Sequence, residues 1–160
     1  MKTFKYLLTV VFLSAFCYLL VAHFLFRNVI VSGNSMLPTL HDSEIYTLKT
    51  YAYLFHNPRI GDVVVIKDPS FTKTVYSVKR IVAREGQTVS FTNGIVYIDG
   101  KQLIESSYLT PNTKTFPMSK TRFVCEKNQY FVLGDNRAVS ADGREYGPIP
   151  RKNILGQIQP

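Results

Sequence analysis

The N-terminal part of the chain contains one long apolar segment that carries no charged side chain. No Asp, Glu, Lys or Arg occurs from Tyr6 to Phe26. About twenty such residues form a helix that crosses the roughly 30 Å hydrocarbon layer of a bilayer. The sequence therefore predicts a transmembrane anchor over residues 6–26, preceded by residues 1–5 and followed by a domain over residues 27–160.

A cleavable signal peptide is the alternative interpretation of this segment, since Lys2 and Lys5 supply a basic region before it. The stretch is longer than the usual apolar core of a signal peptide, and the small residues near its end, at 32–33, belong to the serine-containing loop described below. Lys2 and Lys5 precede the segment, whereas Arg27 alone lies just after it. Because basic residues favour the cytoplasmic side of a membrane, this distribution favours a cytoplasmic N-terminus. We therefore expect a single-pass protein of the cell membrane with residues 27–160 outside the cytoplasm.

The composition of the outer part narrows the classes of partner. It holds 17 of the 19 basic residues and all 11 acidic ones, which gives a formal charge of about +6. A basic domain tethered at a bilayer suits anionic lipid headgroups. The charges are scattered and no nucleic-acid-binding motif is present, so we expect no nucleic acid partner.

The cysteines and histidines do not form a recognisable cluster. Cys17 lies inside the predicted span and Cys125 outside it, so these two cannot join in an intramolecular disulfide. The three histidines are scattered along the chain. We expect neither a metal site nor a cofactor.

The sequence predicts mainly β structure for the outer part, residues 27–160. Runs of β-branched and aromatic residues predict strands over residues 44–49, 63–66, 74–82, 88–91, 95–98 and 129–133. Asn93-Gly94 and Asp99-Gly100 are suited to two-residue hairpin turns and predict a β-meander. Residues 105–121 are polar, include two prolines, and predict a long surface loop.

Two residues are suited to nucleophilic catalysis. Ser35 lies just beyond the apolar segment, and Lys79 lies in a predicted strand. A serine hydroxyl is a poor nucleophile at neutral pH, but an amine that loses its proton in an apolar site can activate it. Such Ser-Lys pairs are a known variant of the serine-protease arrangement.

Four segments, in order behind one apolar segment, carry a resemblance to a known family. They are Ser35-Met36-Leu37-Pro38-Thr39, Arg59-Ile60-Gly61-Asp62-Val63-Val64-Val65, Lys79-Arg80-Ile81-Val82 and Gly134-Asp135-Asn136-Arg137-Ala138-Val139-Ser140-Ala141-Asp142-Gly143-Arg144. The chain resembles bacterial type I signal peptidase, in the compact form typical of Gram-positive bacteria. The resemblance implies a mainly β, signal-peptidase-like sheet or barrel outside the membrane with one N-terminal transmembrane helix.

The resemblance also implies roles for residues. Ser35 would be the nucleophile and Lys79 its general base. Ser140 would hydrogen-bond the lysine amine, and Asp142 and Arg144 would form a supporting ion pair below the site. Residues 135–137 are interpreted as architecture rather than chemistry.

The loop around the nucleophile would supply the substrate-binding and oxyanion groups. The backbone N–H of Ser35 is the first expected oxyanion donor. Gly33 stands where Gram-negative relatives have a serine, so a backbone group or Ser32 would have to provide the second. Met36 shapes the site or packs in the core. The substrate-binding and oxyanion positions are expected at Gly33, Asn34, Met36 and Pro38.

The implied activity is that of a membrane-anchored serine endopeptidase. It would remove N-terminal signal peptides from secretory preproteins after a small-x-small motif. The expected partners are these preproteins and the lipid bilayer, with the secretion translocon as a further candidate.

Two other functions have some support in the sequence. Ser70-Phe71-Thr72-Lys73 fits the Ser-x-x-Lys pattern of penicillin-binding proteins and β-lactamases. That motif belongs at a helix start, whereas proline and β-prone residues surround it here. A non-catalytic assembly factor for surface polymers such as pili is the alternative from another class, although such paralogues typically lose the serine or the lysine.

Overall fold

The computed structural model describes residues 2–160, apart from the side chains of residues 22–26. An N-terminal helix precedes two antiparallel sheets and a short second helix. Helix α1 spans Lys2–Leu25 and α2 spans Gly143–Tyr146. The strands are β1 Phe26–Ile30, β2 Ile45–Lys49, β3 Val63–Lys67, β4 Tyr76–Arg84, β5 Thr88–Thr92, β6 Ile95–Ile98, β7 Lys101–Gln102, β8 Arg122–Val124, β9 Gln129–Leu133, β10 Ile149–Pro150 and β11 Ile154–Ile158.

Helix α1 carries the apolar segment. It begins at Lys2, before the predicted anchor, and it ends at Leu25, so that Phe26 belongs to β1 instead. Lysine is a good helix former, which explains the earlier start. The part from Lys2 to Val21 is long and apolar enough to cross a membrane by its length and composition, and its side chains are exposed. A helix that packed on a soluble core would bury one face, and this helix buries none from Lys2 to Val21, where its side chains are described.

The mainly β prediction is confirmed. Seven strands form one sheet in the order β1-β2-β11-β3-β4-β9-β10, and four form a second in the order β7-β6-β5-β8. The β5–β7 meander turns at Asn93-Gly94 and Asp99-Gly100, where all four residues have positive φ. Two-residue hairpin turns require this conformation, which Asn, Asp and Gly tolerate.

Strand β11 was not predicted, although it lies between β2 and β3 in the large sheet. Ile154 and Ile158 are buried, and Gly156 lies between them. A Cβ on Gly156 would come within 2.6 Å of the Lys49 carbonyl oxygen, so the glycine permits the close approach of the chain to β2. A glycine in the middle of a short apolar run weakens the strand pattern in the sequence.

Strand β3 is buried on both faces. Val64 and Ile66 belong to one hydrophobic cluster, whereas Val63 and Val65 belong to another. Successive side chains of a strand point to opposite faces, which explains the uninterrupted apolar run. β4 pairs with β3 along residues 76–80, and its side chains are buried from Lys79 to Ala83.

A third cluster joins the small sheet to β9. Phe123 packs against Phe131 with ring centroids 5.0 Å apart, and Phe91 contacts both rings. Cys125 lies in the same cluster, and burial raises the pKa of its thiol to about 11. A thiol with so high a pKa is a poor nucleophile at neutral pH, so Cys125 serves as a small apolar side chain.

Candidate active site

Ser35 lies in the loop between β1 and β2. Backbone hydrogen bonds close the loop at its ends, from Val31 N to Glu44 O at 3.0 Å and from Ser43 N to Val31 O at 2.8 Å. Met36 is only 1% exposed and packs in the same cluster as Val31. The core therefore anchors the loop through the residue after Ser35, and of the two predicted roles for Met36 the structure shows core packing.

Lys79 reaches Ser35 from strand β4. Its Nζ lies 3.3 Å from the Ser35 Oγ, and the lysine is 3% exposed. Burial lowers the pKa of Lys79 below its ordinary value, while the negative charges of Asp142 and Asp68 act in the opposite direction. A neutral amine at this distance can accept the hydroxyl proton.

The segment from Gly134 to Asn136 holds the backbone of Ser35. The Asn136 N–H donates to the Ser35 carbonyl at 3.0 Å. A Cβ on Gly134 would come within 2.6 Å of that carbonyl oxygen and within 2.1 Å of the Ser140 Oγ. Only glycine allows so close an approach, and this gives the Gly-Asp-Asn segment a structural reason.

Asp142 and Arg144 form the predicted ion pair. Two parallel contacts of 2.9 Å join the guanidinium to the carboxylate, and both side chains are buried. Asp142 also accepts from the Gly134 N–H at 3.0 Å and caps helix α2 by accepting from the Arg144 N–H. The pair thus joins α2 to the segment that holds Ser35.

Ser140 differs from its expected contact. It is fully buried, but among the described residues its hydroxyl donates to the Ala141 carbonyl at 3.5 Å and not to the Lys79 amine. The hydroxyl stands directly against Gly134. In the structure, Ser140 therefore contacts the Gly134 backbone next to Ser35 instead of the Lys79 amine.

Of the backbone N–H groups of Gly33 and Ser35, near the expected oxyanion position, only one is available to donate a hydrogen bond to a substrate. The Gly33 N–H donates to the Asp42 carboxylate at 2.6 Å, and Gly33 adopts a φ of +92°. Asn34 is exposed, and its carbonyl accepts from the Leu37 N–H at 3.3 Å. Within the described part of the chain, the Ser35 N–H has no acceptor. Ser35 can therefore donate to an oxyanion, whereas the Gly33 N–H is already engaged.

An ion pair that the sequence did not predict lies beside Lys79. Arg80 donates to both carboxylate oxygens of Asp135, at 2.8 and 2.6 Å, and to the Gly61 carbonyl at 2.8 Å. Thr39 of the serine loop bonds both Arg80 and Asp135. This pair joins the serine loop, β4 and the segment after β9. The signal in the sequence that could have revealed this pair is Arg80 itself, directly beside Lys79 in a predicted strand, because a cation that is buried there needs a charged partner.

A cleft of about 500 Å³ opens beside Ser35. We call it the apolar cleft. It is lined by residues 27–32, Ser35, Leu48, Val65, residues 76–78 and Leu155. Pro38 lies outside this lining, exposed and preceded by a cis peptide bond. Ser35, which contacts Lys79, thus lies at the edge of a largely apolar cleft.

Comparison with known proteins identifies the family. A family model described as signal peptidase, peptidase S26, matches residues 3–160. The chain belongs to this signal peptidase family. The resemblance drawn from the four segments is confirmed, and with it the prediction of a serine endopeptidase that removes signal peptides.

Individual signal peptidases are similar over most of their length. A signal peptidase I of Bacillus amyloliquefaciens is 38% identical over 147 residues, which cover 86% of this chain and 74% of that protein. A probable signal peptidase I-1 of Synechocystis is 35% identical over 144 residues, or 86% of this chain and 71% of the relative. A crystal structure of a signal peptidase I from Enterococcus faecalis has a TM-score of 0.50 at 23% identity, covers 64% of this chain and 97% of its own, and supports the fold.

Membership also weighs against the Ser-x-x-Lys interpretation. Ser70 and Lys73 lie in the exposed connection between β3 and β4, not at a helix start. Signal peptidases and the apolar helix α1 together indicate association with a membrane.

Burial of Lys79 predicts a pH-dependent cost to stability. Because its pKa is lowered on folding, the unfolded chain binds this proton more tightly. Stability therefore falls as the pH drops from about 10.4 towards the lowered pKa, by up to about 1.4 kcal/mol per pH unit. Lys79→Met should unfold at a higher temperature than the wild type at pH 7, and this advantage should shrink towards pH 10. Thermal unfolding followed by tyrosine fluorescence measures it.

Lys101→Met is the matched control, because Lys101 is exposed on β7. Its melting temperature should differ from that of the wild type by the same amount at both pH values. An advantage of Lys79→Met that is equal at pH 7 and pH 10 would show that Lys79 is not held with a lowered pKa.

Proposed function

We propose that Ser35 and Lys79 are the catalytic dyad of this signal peptidase. The observation that supports the assignment is the 3.3 Å separation of the Ser35 Oγ and the buried Lys79 Nζ. The neutral amine takes the hydroxyl proton while Oγ attacks the scissile carbonyl. The Lys79 ammonium then gives that proton to the leaving amine, and the C–N bond breaks.

The second half of the reaction uses the same groups. Water gives a proton to the neutral Lys79 amine and attacks the acyl ester on Ser35. The ester C–O bond breaks, and the proton returns to the Ser35 oxygen. In both halves the Ser35 N–H would stabilise the oxyanion. Because Asp42 occupies the Gly33 N–H, we propose the exposed hydroxyl of Ser32 as the second donor.

We propose that the apolar cleft binds the residues before the cut. It adjoins Ser35, and small apolar side chains such as those of a small-x-small motif suit walls formed by Val29, Val65 and Val78. Residues 27–32, which include Val29, line the same cleft and follow helix α1 after Phe26. A signal peptide held in the same bilayer would therefore reach this cleft with part of its encounter entropy already removed.

The supporting residues are proposed to position the dyad rather than to react. Ser140 stands against Gly134, whose segment holds the Ser35 carbonyl, and the pair of Asp142 and Arg144 fixes the Gly134 N–H. Asn34 and Pro38 would flank the substrate as exposed parts of the serine loop.

Exchange of either dyad residue tests the assignment. Ser35→Ala and Lys79→Ala should each reduce cleavage of a preprotein in detergent by at least about a thousandfold, and the double variant should be no worse than either, because the two residues act as a unit. Product is measured by mass spectrometry as a single cut. Ser70→Ala and Lys73→Ala, in the rival motif, should retain activity.

Two results would contradict the dyad. Substantial cleavage by folded Ser35→Ala would exclude Ser35 as the nucleophile. A wild-type protein that cuts no signal peptide under any condition would favour the non-catalytic assembly factor.

We propose a single-pass topology with residues 1–5 in the cytoplasm, residues 6–26 as the anchor and the domain over residues 27–160 outside. The basic residues Lys2 and Lys5 before the span support this orientation. The same placement would bring the domain close to the secretion translocon, which we propose as a further partner.

Protection from protease tests the topology. In inverted membrane vesicles, a tag added before Met1 should be digested while the catalytic domain stays intact inside. Right-side-out vesicles should give the opposite pattern. Digestion of the domain and protection of the tag in inverted vesicles would reverse the proposed orientation.

A further inference from the structure

A second cleft lies on the other side of the Ser35 loop. It has a volume of about 390 Å³ and is lined by Leu37 and Pro38, by residues 135–138, and by Thr110, Thr113 and Lys114. Within the serine loop, residues before Ser35 thus line the apolar cleft, whereas Leu37 and Pro38 after it line the second cleft. Asn136 connects the two, since its N–H holds the Ser35 carbonyl.

The outer wall of the second cleft is held in place by the arginines beside the site. Arg137 donates to the Glu105 carboxylate and to the Thr115 hydroxyl, and it is buried. Arg80 lies under the ring of Tyr108, with its guanidinium carbon 4.1 Å from the ring centroid. The predicted surface loop over residues 105–121 is therefore a fixed part of the site, and the second cleft is a preformed groove.

The second cleft carries one unpaired charge. Among its charged lining residues, Asp135 pairs with Arg80 and Arg137 pairs with Glu105. Lys114 forms no ion pair with any residue that the structure describes. Its aliphatic carbons pack over Gly94, where an added Cβ would come within 2.8 Å of Cδ.

The main chain beside Lys114 is also fixed. The Thr115 N–H donates to the Gly94 carbonyl at 2.9 Å, and the Thr115 side chain accepts from Arg137. The Lys114 ammonium group therefore lies at the edge of the second cleft, on a side chain that packs against Gly94. It can attract the carboxylates of a bound peptide, whereas Asp135 and Arg137 are already paired.

We infer that the second cleft receives the first residues of the mature protein, and that Lys114 favours acidic side chains there. The inference rests on the proposed dyad. The apolar cleft adjoins the end of α1, so a membrane-held signal peptide enters from that side. An extended substrate that advances about 3.3 Å per residue must then leave Ser35 towards Leu37, Pro38 and Asn136.

A charge exchange on enzyme and substrate tests the inference. Two preproteins share one signal peptide and cleavage site but carry either two glutamates or two lysines at the second and third mature positions. The full chain in detergent should cut the glutamate substrate with a kcat/KM about two- to fivefold higher, the range of an exposed ion pair. Lys114→Glu should reverse this ratio, and Lys114→Gln should bring it close to one.

The control separates the local charge from the net charge. Lys120→Glu changes the net charge equally at an exposed position outside the second cleft, and should leave the ratio unchanged. Added salt should reduce the preference of the wild type for the glutamate substrate.

Equal ratios in the wild type and Lys114→Glu would overturn the inference while the dyad stands. Failure of the wild type to cut both substrates, or cleavage by Ser35→Ala, would instead count against the proposed function.

Discussion

The contact of the buried Lys79 amine with the Ser35 hydroxyl is the interaction on which the proposed function depends. In water a lysine with a pKa of about 10.4 is almost entirely charged at neutral pH, so the base that we propose for Lys79 requires burial of the amine. Strand β4 provides this burial because it lies inside the seven-stranded sheet. The negative charge of Asp142 would favour the charged amine, but Arg144 pairs with that carboxylate and opposes its effect on the pKa of Lys79.

The buried arginines hold the site together. Arg80, Arg137 and Arg144 each pair with a carboxylate, and their partners lie on the segment after β9 and on the long loop. Buried ion pairs contribute little net stability compared with apolar side chains of the same size, but removal of one partner is costly. Their effect here is on geometry. They fix Gly134 against the Ser35 carbonyl and hold the long loop over the second cleft.

The sequence revealed the local features of the molecule and missed several that depend on distant contacts. The strand at 129–133 and the Asn93-Gly94 hairpin were predicted because periodicity and turn residues are local signals. Strand β11 was missed because its place is fixed by pairing with β2 and β3. The partner of Arg80 could not be assigned from the sequence, because Asp135 lies 55 residues away. The contact of Ser140 with Gly134 likewise depends on how closely two backbones approach.

Direct titration of the Lys79 amine tests the central claim. Lysines labelled with ¹³C at Cε can be followed by NMR against pH in the Ser35→Ala protein, and Lys79→Met identifies the signal. We expect the pKa of Lys79 to lie below the ordinary lysine value of about 10.4, because burial disfavours the charged amine. A Lys79 signal that titrates at or above the ordinary lysine value would contradict the claim that burial lowers the pKa of this amine.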